Sequence, residues 1–175
     1  MTNLRNYLAE ERLEDGTEVR IRAIRREDQD AIREIFNNLD EESNYRRFFG
    51  PKRKLTEAEL AHFTDLDFRR VVALAAIVQT AAGEELIAGG RFAAAGPACP
   101  GSAELAFTTD KRYRGRGLAT LLLRHLAGIA RELGLSRFEG DVLAENEPML
   151  ASLRRSGLPM HLEREGNVVH VTLAL

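Results

Sequence analysis

Val19, Ile21 and Ala23 alternate with Arg20 and Arg22, the two-residue period of a half-exposed strand over residues 17–24. Just before it, Asp15-Gly16 separates two alternating segments and predicts a hairpin turn. The period then changes: Ala31, Ile32, Ile35, Phe36 and Leu39 recur at helical spacing between residues 27 and 39. A second helical stretch over residues 41–49 stops at Gly50-Pro51. Thr56-x-x-Glu59 is a capping box that opens a third helix to about residue 65.

Residues 71–78 are nearly all apolar, as in a strand buried on both faces. Strands over 86–95 and 103–109 follow, joined by a tight connection from Gly96 to Gly101. A helix from about 116 to 133 ends at Gly134, a suitable left-handed cap. Next come a strand over 138–143 and a helix over 148–156 that begins at Pro148. Segments 160–164 and 168–173 flank Glu165-Gly166-Asn167 as a closing hairpin. The order β-α-α-β-β-β-α-β-α-β-β predicts an α/β or α+β fold with a mixed sheet. No repeat or linker interrupts it, so residues 1–175 are expected to form one domain. Residues 1–16 would be an N-terminal arm or an extra hairpin strand.

The chain has 175 residues, 44% hydrophobic and 30% charged, enough for a full core in an ordinary globule. Its formal charge of −2 makes any basic loop a local feature, and nucleic acid is not expected as a partner. The single cysteine, Cys99, excludes an internal disulfide and suits a reducing compartment. No apolar run approaches spanning length and no apolar signal core follows Met1, so a cytoplasmic location without a membrane partner is expected. The four histidines show no paired spacing for a metal, and none is expected. His125 reads as a surface or interface residue.

The chemistry concentrates in Tyr113-Arg114-Gly115-Arg116-Gly117-Leu118-Ala119-Thr120, between a predicted strand and a predicted helix. Glycines let backbone N–H groups approach a ligand, the helix N-terminus adds unpaired donors and dipole, and Arg114 and Arg116 add charge. That combination binds a pyrophosphate. Thr120 stands where a dinucleotide fingerprint needs its third glycine, and no Gly-Lys-Ser/Thr ending exists for a P-loop.

Arg114-x-x-Gly117-x-Ala119 resembles the R/Q-x-x-G-x-G/A loop of the GCN5-related N-acetyltransferases, the GNAT family. Arg112-x-x-Gly115-x-Gly117 satisfies the same pattern. The first register is preferred because it puts Ala119 in the first helical turn. Residues 142–150, with Asn146 and Pro148, and then Gly157 resemble the family's second motif. The likeness runs from about residue 17 to 173. It implies a mixed, mostly antiparallel sheet flanked by helices, and acetyl-CoA as co-substrate. It also implies pyrophosphate contacts from Arg114, Gly115, Arg116, Gly117, Leu118, Ala119 and Thr120. Phe107, Thr108 and Thr109 would pair with the thioester arm, and Asn146 would bond the pantetheine.

Glu104 is the one charge in the run from Gly101 to Thr109, and is expected to be partly desolvated and able to take a proton from an incoming ammonium. Together with Asn44 to Pro51 and Asn146-Glu147-Pro148-Met149, it resembles the bacterial Pat-type protein lysine acetyltransferases. There the matching glutamate is the general base. The resemblance implies acetyl transfer to a protein lysine, with a protein partner such as an acyl-CoA synthetase, by a monomer or homodimer. In that group the domain is often fused to an acyl-CoA-synthetase-like or cyclic-nucleotide-binding part, and neither is present in this sequence. Two alternatives stand beside it: a small-molecule amine acetyltransferase and a non-catalytic acyl-CoA-binding sensor. Many members of the wider family place a tyrosine acid seven residues after the motif asparagine, where this chain has Leu153. Ser152 and Ser156 are the nearby hydroxyls.

Overall fold

The structure, a computed structural model, describes residues 3–38 and 55–175. The second predicted helix and the segment from Asn44 to Pro51 lie outside the described residues. Eight strands form one sheet: β1 (Leu8–Arg12), β2 (Glu18–Ala23), β3 (Val71–Thr80), β4 (Gly83–Ala94), β5 (Ser102–Thr109), β6 (Arg137–Leu143), β7 (Met160–Glu165) and β8 (Val168–Ala174). Their spatial order is β1-β2-β3-β4-β5-β6-β8-β7. Every neighbouring pair is antiparallel except β5 and β6. The four α-helices among the described residues are α1 (Gln29–Asn37), α2 (Glu57–Thr64), α3 (Leu118–Glu132) and α4 (Glu147–Arg155). Among the described residues, the alternation of helix and strand read from the sequence holds, with boundaries shifted by up to three residues.

Helix α3 covers one face of the sheet. Its Leu121, Leu122, Leu123, Leu126, Ile129 and Ala130 are buried, and Leu126 packs toward Gly90 and the Phe107 ring. Helices α1 and α2 lie over the other face, where Phe36 and Phe63 stack at 5.9 Å between centroids. Thr56 starts α2 as its sequence pattern predicts, its Oγ1 accepting from the backbone N–H of Glu59 at 3.2 Å. Strand β3 is buried from Val72 to Val78, in line with its apolar run.

The first hairpin is fastened to α3 by a hydrogen-bonded chain that local sequence does not reveal. The Tyr7 hydroxyl meets His125 Nδ1 at 2.6 Å, and His125 Nε2 meets a Glu11 carboxylate oxygen at 2.8 Å. Burial, followed by the charges of Glu11 and Glu132, raises the Tyr7 hydroxyl above its ordinary pKa, so Tyr7 stays protonated to donate. His125 is thus a fastener between elements.

Arg22 departs from the simple alternation that placed it in solvent. It is 4% exposed and grips Asp28 with two hydrogen bonds of 2.8 Å each. Asp28 also accepts from the backbone N–H of Arg25 at 2.7 Å, so one carboxylate joins β2 to the turn that enters α1. The bonds to Asp28 raise the Arg22 guanidinium above its ordinary range, against the opposing effect of burial. Asp28→Ala would leave that buried charge with the more distant Glu84 carboxylate, at 3.6 Å, as its ionic partner. It should cost about 3–5 kcal/mol and lower Tm by roughly 10 °C in a thermal melt. The double change Arg22→Met with Asp28→Leu should recover most of the loss. A single variant as stable as the parent would show that the pair contributes nothing.

Candidate functional site

Strands β5 and β6 run parallel, but their pairing covers only Ser102–Arg137, Ala103–Phe138 and Glu104–Glu139. Beyond Glu104 they part. Strand β5 continues to Thr109 bound to β4 alone, so one backbone edge from Leu105 onward has no strand partner. Gly140 stands at the fork, where a Cβ would come within 3.4 Å of the Leu105 carbonyl oxygen. That contact puts the Leu105 carbonyl on the β6 side. Alternation along the strand then puts the backbone groups of Phe107 and Thr109 on the same open edge. An open edge of this kind is a template for an extended amide-bearing chain.

The fork opens into a cleft of about 790 Å³. Its walls include Glu104, Phe107, Thr108, Thr109, Arg114, Gly115, Gly117, Leu118, Ala119 and Asn146. Ten of the twelve residues singled out from sequence therefore share one cavity. The other two are engaged elsewhere. The Arg116 guanidinium lies 4.9 Å from the Tyr113 ring centroid and 3.7 Å from Asp15. The Thr120 hydroxyl donates to the Ser152 carbonyl at 2.9 Å, tying α3 to α4. Pro148, Met149 and Arg155 also line the cleft and were not anticipated. Their spacing after Asn146, on a helix starting at the cleft, was the available signal.

The loop's local conformation explains its glycines. Gly117 is the residue before α3 and has φ +85°, a region that side chains disfavour. It caps α3 without a side chain, leaving the first helical N–H groups facing the cleft. The two possible loop registers also separate. Arg112 is held by Asp110 at 2.9 Å and by Glu85, which raises its guanidinium further above an already high value. Arg114, not Arg112, lines the cleft.

Asn146 caps α4, accepting from the Met149 N–H at 3.3 Å, while its residue also faces the cavity. Leu153, in the place of the family's tyrosine acid, is 4% exposed. The Ser152 hydroxyl donates to the Pro148 carbonyl at 2.9 Å and the Ser156 hydroxyl to the Leu153 carbonyl at 2.6 Å.

Glu104 differs from its expected environment: it is exposed. The physical reason is its position as the last residue paired with β6, at the opening of the fork. Register places it beside Glu139, and Asp141, His170 and Glu163 continue on the same sheet face. Ser102 hydrogen-bonds Glu139 and holds its carboxyl below the usual range, with Arg137 and His170 assisting. Asp141 bonds His170 Nδ1 at 2.8 Å and raises the imidazole pKa.

A model of the acetyltransferase (GNAT) domain matches residues 18–159. The chain belongs to the GNAT family. It is 32% identical over 140 residues to Acetyltransferase PA5475 of Pseudomonas aeruginosa, covering 79% of this chain and 74% of that protein. Among solved structures it resembles the GNAT domain of S. lividans PAT, with TM-score 0.83, 34% identity and coverage of 96% and 97%. It also resembles a cAMP-binding acyltransferase from Mycobacterium smegmatis, with TM-score 0.66 and 26% identity. There it covers 96% of this chain but 47% of the other, about half its length. This GNAT protein is an N-acetyltransferase that acts with acetyl-CoA. No helix among the described residues is long and apolar enough to cross a membrane.

Two tests probe this geometry. Gly117→Ala should cost about 1–2 kcal/mol for the positive φ and cut the Tm gain from millimolar acetyl-CoA by more than half. Its methyl would meet no protein atom within 4 Å, so a lost gain would report on the ligand and not on crowding. An unchanged gain would remove the loop from the binding site. The second concerns His170. Its folded pKa is raised, so its contribution is fully present below the unfolded value of about 6.5 and fades as pH rises through the folded value. Titration of the imidazole by NMR should give a value above 6.5, returning toward it in Asp141→Asn.

Proposed function

We propose that this GNAT protein acetylates the side-chain amine of a protein lysine, with Glu104 as general base. The observation that carries the reading is the position of Glu104, at the last β5–β6 pair and on the wall of the cleft. The family's acyl donor, aligned on the open edge of β5, would bring its thioester next to this carboxylate. Acetyl transfer to an amine needs the amine neutral, and lysine is protonated at neutral pH. Glu104 takes that proton, directly or through one water, as the amine approaches from the α1/α2 face.

Two features support a lysine-bearing segment as acceptor. The likeness to the S. lividans PAT domain spans nearly both chains. Glu104, Glu139, Asp141 and Glu163 also present carboxylates along one sheet face, beside Arg137, His161 and His170. Such a face attracts a cationic segment and repels an acidic one. A small amine would need only the carboxylate at the fork. The donor contacts assigned to Phe107, Thr108, Thr109, Arg114, Gly115, Gly117, Leu118, Ala119 and Asn146 belong to the same proposal.

Glu104→Gln should keep acetyl-CoA affinity within about twofold and lower turnover by about two to four orders of magnitude at pH 7. The deficit should narrow toward pH 10, where free lysine loses its own proton. The measurement is a pH–rate profile with acetyl-CoA and a lysine peptide, beside a spermidine and aminoglycoside control. An unchanged rate at pH 7 would move the base elsewhere. Faster acetylation of the free amines than of every protein or peptide tried would overturn the lysine acceptor.

A further inference from the structure

A second cavity, of about 70 Å³, lies on the α1/α2 face of the sheet behind the fork. Ile32 and Phe36 of α1 and Phe63 of α2 form its roof, and Gly89 and Ala106 part of its floor. It meets the donor cleft through β5: Ala106 and Thr108 line both. These two side chains point to the α1/α2 face, because they pair in register with Arg91 and Gly89 of β4. Phe107, between them, points to α3. The strand that carries the open donor edge therefore has an apolar chamber immediately beneath it.

The lining restricts the occupant. Among the described residues, Arg91 is the one charged residue lining the chamber, and its guanidinium lies 5.3 Å from the Phe63 ring centroid. Burial draws that guanidinium below its ordinary range, with the Glu104 charge acting in the opposite direction. A fixed cation at low dielectric repels an ammonium, so the chamber is unsuited to the lysine itself. An uncharged hydrocarbon meets no such barrier. A water-sized group needs roughly 10–15 Å³ of such space, so there is room for a few methylenes.

We propose that this chamber is an acyl-chain pocket, and that the enzyme accepts propionyl and butyryl groups from coenzyme A as well as acetyl. The proposal rests on the reading of the fork as the donor site. The acyl methyl of acetyl-CoA reaches only the β5 strand; additional methylenes pass Ala106 and Thr108 into the space under Ile32, Phe36 and Phe63. The reaction balances as for acetyl: the thioester C–S bond breaks, the acyl–nitrogen bond forms, the amine proton leaves and coenzyme A is released. Chamber size sets the upper limit on chain length.

The test compares acetyl-, propionyl-, butyryl-, octanoyl- and succinyl-CoA with one fixed acceptor, reading kcat/KM and the Tm shift for each. Propionyl- and butyryl-CoA are expected within tenfold of acetyl-CoA, and octanoyl- and succinyl-CoA at least a hundredfold below it. Gly89→Val and Gly89→Ala fill the floor, since a Cβ at Gly89 has its nearest neighbour, the Leu74 carbonyl, at an ordinary 3.6 Å. They should lower the butyryl-to-acetyl ratio of kcat/KM by about tenfold or more, the usual discrimination of an apolar pocket for a methylene or two. Ile32→Ala, an independent change in the roof, should raise the same ratio. Acetyl-CoA used a hundredfold better than propionyl-CoA, with the ratio unmoved by all three variants, would overturn the pocket and leave the donor site standing. Preference for succinyl-CoA would overturn the uncharged occupant. Failure of every acyl-CoA to shift Tm would instead overturn the donor site itself.

Discussion

The separation of β5 from β6 after Glu104 governs what the rest of the molecule does. Two parallel strands that stayed paired would bury their backbone donors and acceptors in each other and leave no room between them. Here three register pairs hold the strands together and the next residues diverge. The divergence costs unsatisfied backbone groups on β5, and a bound extended amide chain satisfies them. The β6 side remains rigid because β8 pairs with it along its whole length, from Arg137–Ala174 to Leu143–Val168. The β5 side is fixed by seven consecutive pairs with β4. The fork is thus flanked by two stiff half-sheets.

Both helices that follow the diverging strands begin at this opening. Helix α3 starts at Leu118 after the left-handed Gly117, and α4 starts at Glu147 after Asn146. Each N-terminus carries unpaired N–H groups and the positive end of a helix dipole, worth typically 0.3–1 kcal/mol toward an anion at the surface. The two are not equivalent. The α3 end has no side-chain cap, and Arg114 stands on the same wall of the cleft. The α4 end is capped by Asn146 and favours negative charge mainly through its dipole. A cleft built between them suits a ligand with phosphates at one end and a thioester at the other.

Local chemistry was legible where it depended on nearby residues. Alternation gave β2, helical spacing gave α1 and α3, and glycine spacing gave the loop. Features that depend on partners far along the chain were not. Arg22 reads as solvated until Asp28 is folded onto it, and His125 reads as a surface or interface histidine until Tyr7 and Glu11 reach it and decide between the two. Glu104 reads as partly desolvated because an uncharged neighbourhood in sequence resembles burial; the fork, a feature of sheet geometry, exposes it. Arg116 and Thr120 belong to the loop pattern, yet Asp15, the Tyr113 ring and the Ser152 carbonyl engage them first. No local pattern encodes those competitors.

The leaving group poses the last chemical problem of the cleft. Transfer of the acyl group releases the coenzyme A sulfur as a thiolate, and Leu153 offers no proton where relatives use a tyrosine. Ser152 and Ser156 already donate their single protons to helix carbonyls, and a hydroxyl is far too weak an acid to help without reorganisation. A thiol of ordinary pKa near 8.5 needs less assistance than an alkoxide would. The missing tyrosine is therefore consistent with an active fork. By the same reasoning, the amine proton, and not the thiolate, is the transfer for which a side chain is needed, which is the role proposed for Glu104 at the fork.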